Sequence, residues 1–233
     1  MNRFFIPGSL FILFFSFSCS NNREPEHTRD IDPSAIYFDY QVRGEEGNEL
    51  VTVLLQFRVQ ESFGGTLALD PPSRIEFDGE SILADSSRMT GTFYEVQRPA
   101  TQLAGTHSIV FTDANKKKYK EEFSFRTVAL LTQVPDTLHR NQLVFDFDGL
   151  EPVDAIRVVI ADTTYPGEET DQLDSTKNGR LIIKKEESDC LANGPVQVLF
   201  IREYETPVKN SPPKGGGRIS FSYTIKREFL LID

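Results

Sequence analysis

The chain has 233 residues, 39% of them hydrophobic and 26% charged, with 15 Gly and 13 Pro. That composition excludes a collagen, a low-complexity chain, an intrinsically disordered protein and a multi-span membrane protein. A formal net charge of −10 argues against nucleic acid and anionic surfaces as electrostatic partners, because both are held by clustered Lys and Arg.

Met1-Asn2-Arg3 is a short basic start. Phe4 to Phe17 is an apolar run, interrupted by Pro7, Gly8, Ser9 and Ser16. Spanning a bilayer takes about 20 apolar residues, so this run is too short and matches the h-region of a secretory signal peptide. The junction Ser16-Phe17-Ser18-Cys19-Ser20-Asn21 resembles a bacterial lipoprotein signal, in which a small residue precedes a Cys that becomes the lipidated first residue. The resemblance implies loss of residues 1–18, lipidation of Cys19, and anchoring in the outer membrane of a Gram-negative envelope, facing periplasm or surface. Residues 19–34 then read as lipidated Cys and flexible tether, since 20–34 are polar and carry two prolines. With Cys19 acylated, Cys190 has no partner for a disulfide and is expected to be buried and structural.

The body alternates with period 2. Residues 35–43 put Ile36, Phe38, Tyr40 and Val42 on one face, and 49–60 put Val51, Val53, Leu55, Phe57 and Val59 on one face. Leu54 adds apolar surface to the other side, as in a central strand. Asp78-Gly79 supplies the positive φ angles of a tight hairpin between 74–77 and 80–83. Residues 91–97, 106–112 and 118–126 complete a first set of strands. A second set comprises 142–148, 155–161, 179–185, 195–204 and 218–232, the last as one bent strand or two. Residues 195–204 are apolar on both sides, again as in a central strand. Helical periodicity is confined to 186–193, a turn or so.

Many short strands without long helices predict an all-β chain of two tandem antiparallel β-sandwiches, 35–128 and 129–233. Phe77-Asp78-Gly79, with Gly105 to Asp113 running into Lys118-Tyr119, resembles immunoglobulin-like domains of bacterial envelope proteins. The resemblance implies architecture and not function.

The residues for catalysis are missing. His27, His107 and His139 are far apart, and there is no HExxH, paired CxxC, GxSxG or P-loop. Gly215-Gly216-Gly217 precedes a strand, whereas a phosphate cradle needs a helix. The chain is therefore expected not to be an enzyme and to need no cofactor. One stretch, 162–174, concentrates hard oxygen ligands: Asp162, Glu168, Glu169, Asp171 and Asp174 are candidate calcium ligands. Tyr165 and Tyr204 are the candidate aromatic platforms for a sugar, in a chain with no Trp. The leading expectation is a binding, adhesion or structural module for an envelope protein complex, with loops 162–174 and 205–217 as the contact regions. Glycan binding, similar to that of lipoproteins of polysaccharide-uptake systems, is the alternative, and an envelope hydrolase with a carboxylate pair comes third.

Overall fold

The computed structural model describes residues 26–151, 154–163 and 167–233. The leader 1–18, Cys19 and Tyr165 lie outside the described residues. The protein is all-β. The first pass of the chain makes β1 (Glu26–His27), β2 (Ile36–Glu45), β3 (Leu50–Val59), β4 (Leu67–Ala68), β5 (Arg74–Phe77), β6 (Glu80–Ser81), β7 (Ala84–Ser87), β8 (Gly91–Pro99), β9 (Thr106–Thr112) and β10 (Lys118–Ser124). The second adds β11 (Ala129–Leu130), β12 (Thr137–His139), β13 (Val144–Asp148), β14 (Ala155–Asp162), β15 (Glu169–Ser175) and β16 (Arg180–Ile182). A hairpin of two long strands, β17 (Gly194–Pro207) and β18 (Gly217–Ile232), closes the chain.

The alternation read from the sequence is the burial pattern observed. Ile36, Phe38, Tyr40, Val42, Val51, Val53, Leu55 and Phe57 are all buried. Asp78 and Gly79 both hold positive φ, 49° and 85°, and Phe77 pairs directly with Glu80. Residues 218–232 belong to one strand.

A long sheet runs β15-β14-β17-β18-β2-β3-β8-β7, with β12 pairing parallel to the end of β18. Two smaller sheets cover one face of it. The sheet β10-β9-β5-β6 packs over the β2–β3 region, with Phe38 and Phe111 rings 5.2 Å apart and Phe57 and Phe111 rings 4.7 Å apart. The group β11-β13-β16 packs over β14 and β17, where the Phe145 and Phe200 rings are 4.7 Å apart. Each packing is a sandwich with its own core.

The final hairpin belongs to both cores. β17 and β18 pair from Gly194↔Leu231 through to Pro207↔Arg218, and at ~3.3 Å per residue such a hairpin is ~45 Å long. Ile225, Phe229 and Leu231 lie in the second core, whereas Ile219, Phe221 and Val208 lie in the first. Val128 already lies in the second core and the closing hairpin serves both, so the cores are not two consecutive halves of the chain. β18 also pairs in parallel with β2, from Gly217↔Phe38 to Thr224↔Glu45.

The glycine triplet explains how the hairpin turn docks there. A Cβ on Gly215 would sit 2.0 Å from the Ile36 carbonyl oxygen, and one on Gly217 would sit 2.7 Å from the Phe38 Cβ. Only glycine lets the backbone come this close. The turn is held by Lys214 and Gly215 N–H groups donating to the Ser34 carbonyl.

Residues 26–34, expected in the flexible tether, are instead laid on the first sandwich. β1 pairs parallel with β4, Thr28 is buried, and its hydroxyl accepts from the Asp70 N–H at 2.9 Å. The Asp32 carboxylate accepts from Ser34 N–H at 2.9 Å and from Lys214 Nζ at 2.9 Å. The Lys214 hydrogen bond, followed by those from Ser34, holds its pKa at about 2, below the ordinary 3.8. A carboxyl with a depressed native pKa stabilises the fold above its unfolded pKa, and that contribution is lost as pH falls through the native value. Wild type is therefore expected to exceed Asp32→Asn in stability at neutral pH, the gap closing as pH falls from 3.8 to about 2. Urea unfolding of both proteins across pH 2–5 checks this; a gap that does not change with pH refutes it.

Candidate functional site

The five candidate calcium ligands do not gather. Residues 169–175 form an edge strand rather than a loop, so their side chains alternate between two faces. Asp162 is buried at the end of β14 and accepts from the Glu168 and Ala192 N–H groups, both at 3.2 Å. Glu168 and Glu169 are exposed. Asp171 faces outward and accepts from Arg157 Nε at 2.8 Å, which lowers its pKa. Asp174 faces the sandwich interior, where burial raises its pKa. Among the described residues no group of three or more His, Cys, Asp or Glu is arranged to hold a metal ion.

Other sequence candidates also resolve into local roles. Cys190, expected buried, is exposed; it sits in the loop after the 3-10 turn Lys185–Glu187, which replaces the expected helical turn at 186–193. His27 Nδ1 lies 3.0 Å from Asp70, His107 Nδ1 2.7 Å from Asp78, and His139 Nδ1 2.6 Å from the Asp233 carbonyl oxygen. Tyr204 is not an open platform: it stacks on Phe221 at 4.6 Å and carries the Arg202 guanidinium 5.0 Å over its ring. Loop 205–217 is fastened down, with Val208 and Pro212 buried and the Lys209 N–H donating to Glu121 at 2.8 Å.

The surface that stands out is the outward face of the long sheet, which the two smaller sheets leave uncovered. Residues paired across neighbouring strands share a face, so its composition follows from the register. At the second-sandwich end Val159 lies opposite Leu199, and Arg157 lies between Leu173 and Ile201. Val159, Leu199 and Ile201 are partly exposed, and Leu173 is 67% exposed. The two-sided apolar character of 195–204 thus has two outlets: Val196, Val198 and Phe200 fill the core, and Leu199 and Ile201 face out. A central strand buried on both sides would have hidden them.

Along β18 the outward residues become small. Glu203 pairs with Ser222 and Glu205 with Ser220, while on the other side Ser222 pairs with Arg43 and Ser220 with Gln41. Short serines between longer walls leave an open trough of about 410 Å³, lined by Gln41, Arg43, Glu203, Glu205, Ser220 and Ser222. One wall is acidic and the other carries Arg43. Beyond it, Asp39 is 2% exposed and accepts from Arg58 Nε at 3.0 Å and Arg218 Nε at 2.9 Å. Two guanidiniums on one buried carboxylate tie β2 to β3 and to β18 beside the trough. The face can hydrogen-bond and bury apolar surface.

No protein-family model matches the chain, and no curated protein matches it. Among solved structures, it is similar to one concerning the host cell surface retention of a 1.5-MDa bacterial ice-binding adhesin, at 13% identity and a TM-score of 0.23, covering 86% of this chain and 66% of that one. It is also similar to murine CEACAM1b, at 12% identity and TM-score 0.20 over 84% of this chain and 100% of that one. A third is the IG1+IG2 structure of DIP-gamma, at 10% identity and TM-score 0.23 over 80% and 94%. At these identities and TM-scores the likenesses carry no argument about fold, ligand or activity.

Proposed function

We propose that the protein is a lipid-anchored, non-catalytic binding module of the bacterial envelope, and that it engages an envelope protein through the outward face of its long sheet. The observation carrying this reading is the partly exposed apolar group Val159, Leu199, Ile201 and Leu173 beside the polar trough on Ser220 and Ser222. An apolar patch rimmed by charged and polar groups is the usual makeup of a protein contact. The shared hairpin supports it, because two sandwiches on one sheet present that face as a single preformed surface, and little ordering entropy is lost on binding. Cys19 is the anchor, and outer-membrane attachment follows from the lipoprotein signal.

A photo-reactive side chain placed at Leu199 or Ser222 in the full-length protein tests it on intact envelopes. A discrete protein adduct is expected from both positions, and none from Lys116 on the turn between β9 and β10. Adducts equal at all three positions, or none, refute the reading. The glycan alternative has the hydrogen-bonding walls Gln41, Arg43, Glu203 and Glu205 in its favour. It is supported if a glycan array gives a signal that Arg43→Ala abolishes.

A further inference from the structure

We propose that the end of the first sandwich nearest the N-terminus is a membrane-contact tip, at which Phe63 and Met89 enter the headgroup layer of a phospholipid bilayer. This rests on the reading of Cys19 as the lipid anchor. The chain geometry brings three features to one end. Ile36 at the start of β2 pairs with Val59 at the end of β3, and β8 begins near the same level at Gly91. The turn after β3 is closed by the Gly64 N–H donating to the Glu61 carbonyl at 3.0 Å, which puts Phe63 at its tip. The turn between β7 and β8 is closed by the Ser87↔Gly91 pair and by the Thr90 N–H donating to Ser87 Oγ at 2.9 Å, which puts Met89 at its tip.

The two turns are locked together. The Thr66 hydroxyl accepts the Thr92 N–H at 3.0 Å, and Gln56 Nε2 donates to the Thr90 carbonyl at 2.8 Å. Gly91 has φ 72°, and a Cβ there would lie 2.2 Å from Thr66 Oγ1. The tips are therefore held side by side by a rigid base. Phe63 is 94% exposed and Met89 97% exposed, more than any other large hydrophobic side chain among the described residues.

Single exposed apolar residues are ordinary. Their place beside the anchor is what gives these two a partner. Glu26 pairs with Leu67, and its carboxylate lies beside Gly65, within the Phe63 turn. The segment from Cys19 to Glu26 can reach at most ~25 Å when fully extended. Acyl chains on Cys19 thus keep this end at the bilayer surface, while the hairpin carries the second sandwich away from it. The flanking charges are mixed, with Arg88 and Arg29 against Glu61 and Asp30. Attraction would come from apolar burial and not from net charge, so the bilayer surface need not be anionic.

The chain has no Trp, so Phe63→Trp installs a single reporter. The full-length lipidated protein is reconstituted into phosphatidylethanolamine–phosphatidylcholine vesicles with brominated acyl chains, with Leu131→Trp in the second sandwich as the distal control. At position 63 the indole emission is expected to shift to the blue and to fall roughly two-fold, as for a side chain at the headgroup–acyl boundary; at position 131 it stays unchanged. Met89→Trp gives the same readout from the neighbouring turn should Phe63→Trp fail to fold. Vesicle-bound protein whose position-63 indole emits as in water overturns the inference and leaves the anchor standing. A blue shift without bromine quenching also overturns it, because the indole is then packed against this protein itself, the only protein in the vesicles. Mass spectrometry finding no acyl group on Cys19 refutes the anchor, and the inference falls with it.

Discussion

Phe57→Ala is expected to lower the stability of the first sandwich by about 4 kcal/mol, within the usual range for a buried Phe truncated to Ala. Phe57 is fully buried. Its ring lies 5.5 Å from Phe38, 6.1 Å from Tyr40, 5.7 Å from Tyr94 and 4.7 Å from Phe111. Those neighbours come from β2 and β8 of the long sheet and from β9 of the covering sheet, so the ring fastens the two layers to each other. The lost aromatic edge and stacking contacts add to the cavity left behind. Phe63→Ala, a few residues away, is expected to change the stability of the soluble protein by less than about 0.5 kcal/mol, because its ring touches mostly water. Urea unfolding of the two variants side by side checks the pair. Similar losses in both would mean that the burial of Phe57 has been misjudged.

Arg202→Met is expected to cost about 3 kcal/mol, because it leaves the largely enclosed carboxylate of Asp154 without its partner charge. Arg202 is buried in β17 where the two cores meet, opposite Tyr223, which packs against both. Its Nη2 lies 2.8 Å from Asp154 Oδ2, and its Nη1 donates to the Arg126 carbonyl at 3.3 Å. One guanidinium therefore ties the hairpin to the segment leaving the first sandwich and to the one entering β14. Tyr223 seats there against Phe125, with ring centres 6.2 Å apart. A Cβ on Gly44 would fall 2.8 Å from the Tyr223 ring, which requires glycine at that position. The double variant Arg202→Met with Asp154→Asn is expected to recover at least half of the loss. Asn keeps an acceptor for the Glu151 N–H, which Asp154 bonds at 2.8 Å, and removes the stranded charge. Equal melting temperatures for the single and double variants would show that the ion pair is not the cause.

The candidate surface was half legible. That 195–204 is apolar on both sides is plain in the chain, and it is the signal that leads to Leu199 and Ile201. The trough is not legible, because Ser220 and Ser222 are unremarkable until β2 and β17 bring Arg43 and Glu203 to either side. The acidic run 162–174 misled in the opposite way. Density of carboxylates along the chain suggested a metal site, but once 169–175 pairs with β14 the acids alternate between faces and Arg157 takes Asp171.

The sequence by itself determined the all-β class, the inward face of each principal strand and the Asp78-Gly79 turn. Those features depend on local alternation and backbone preference, which a few adjacent residues settle. Only the tertiary structure decided which strands are neighbours. Ser-Ser and Glu-Thr-Asp segments with little strand preference became β7 and β15 because β8 and β14 had open edges to pair. Residues 26–34 became part of the body because β4 and Lys214 met them. The parallel seam of β2 with β18 joins residues some 179 positions apart, as at Asp39 and Arg218. Period-2 alternation says which way a side chain points but not which strand lies beside it, and the hairpin that joins two cores in one sheet is decided by that second fact.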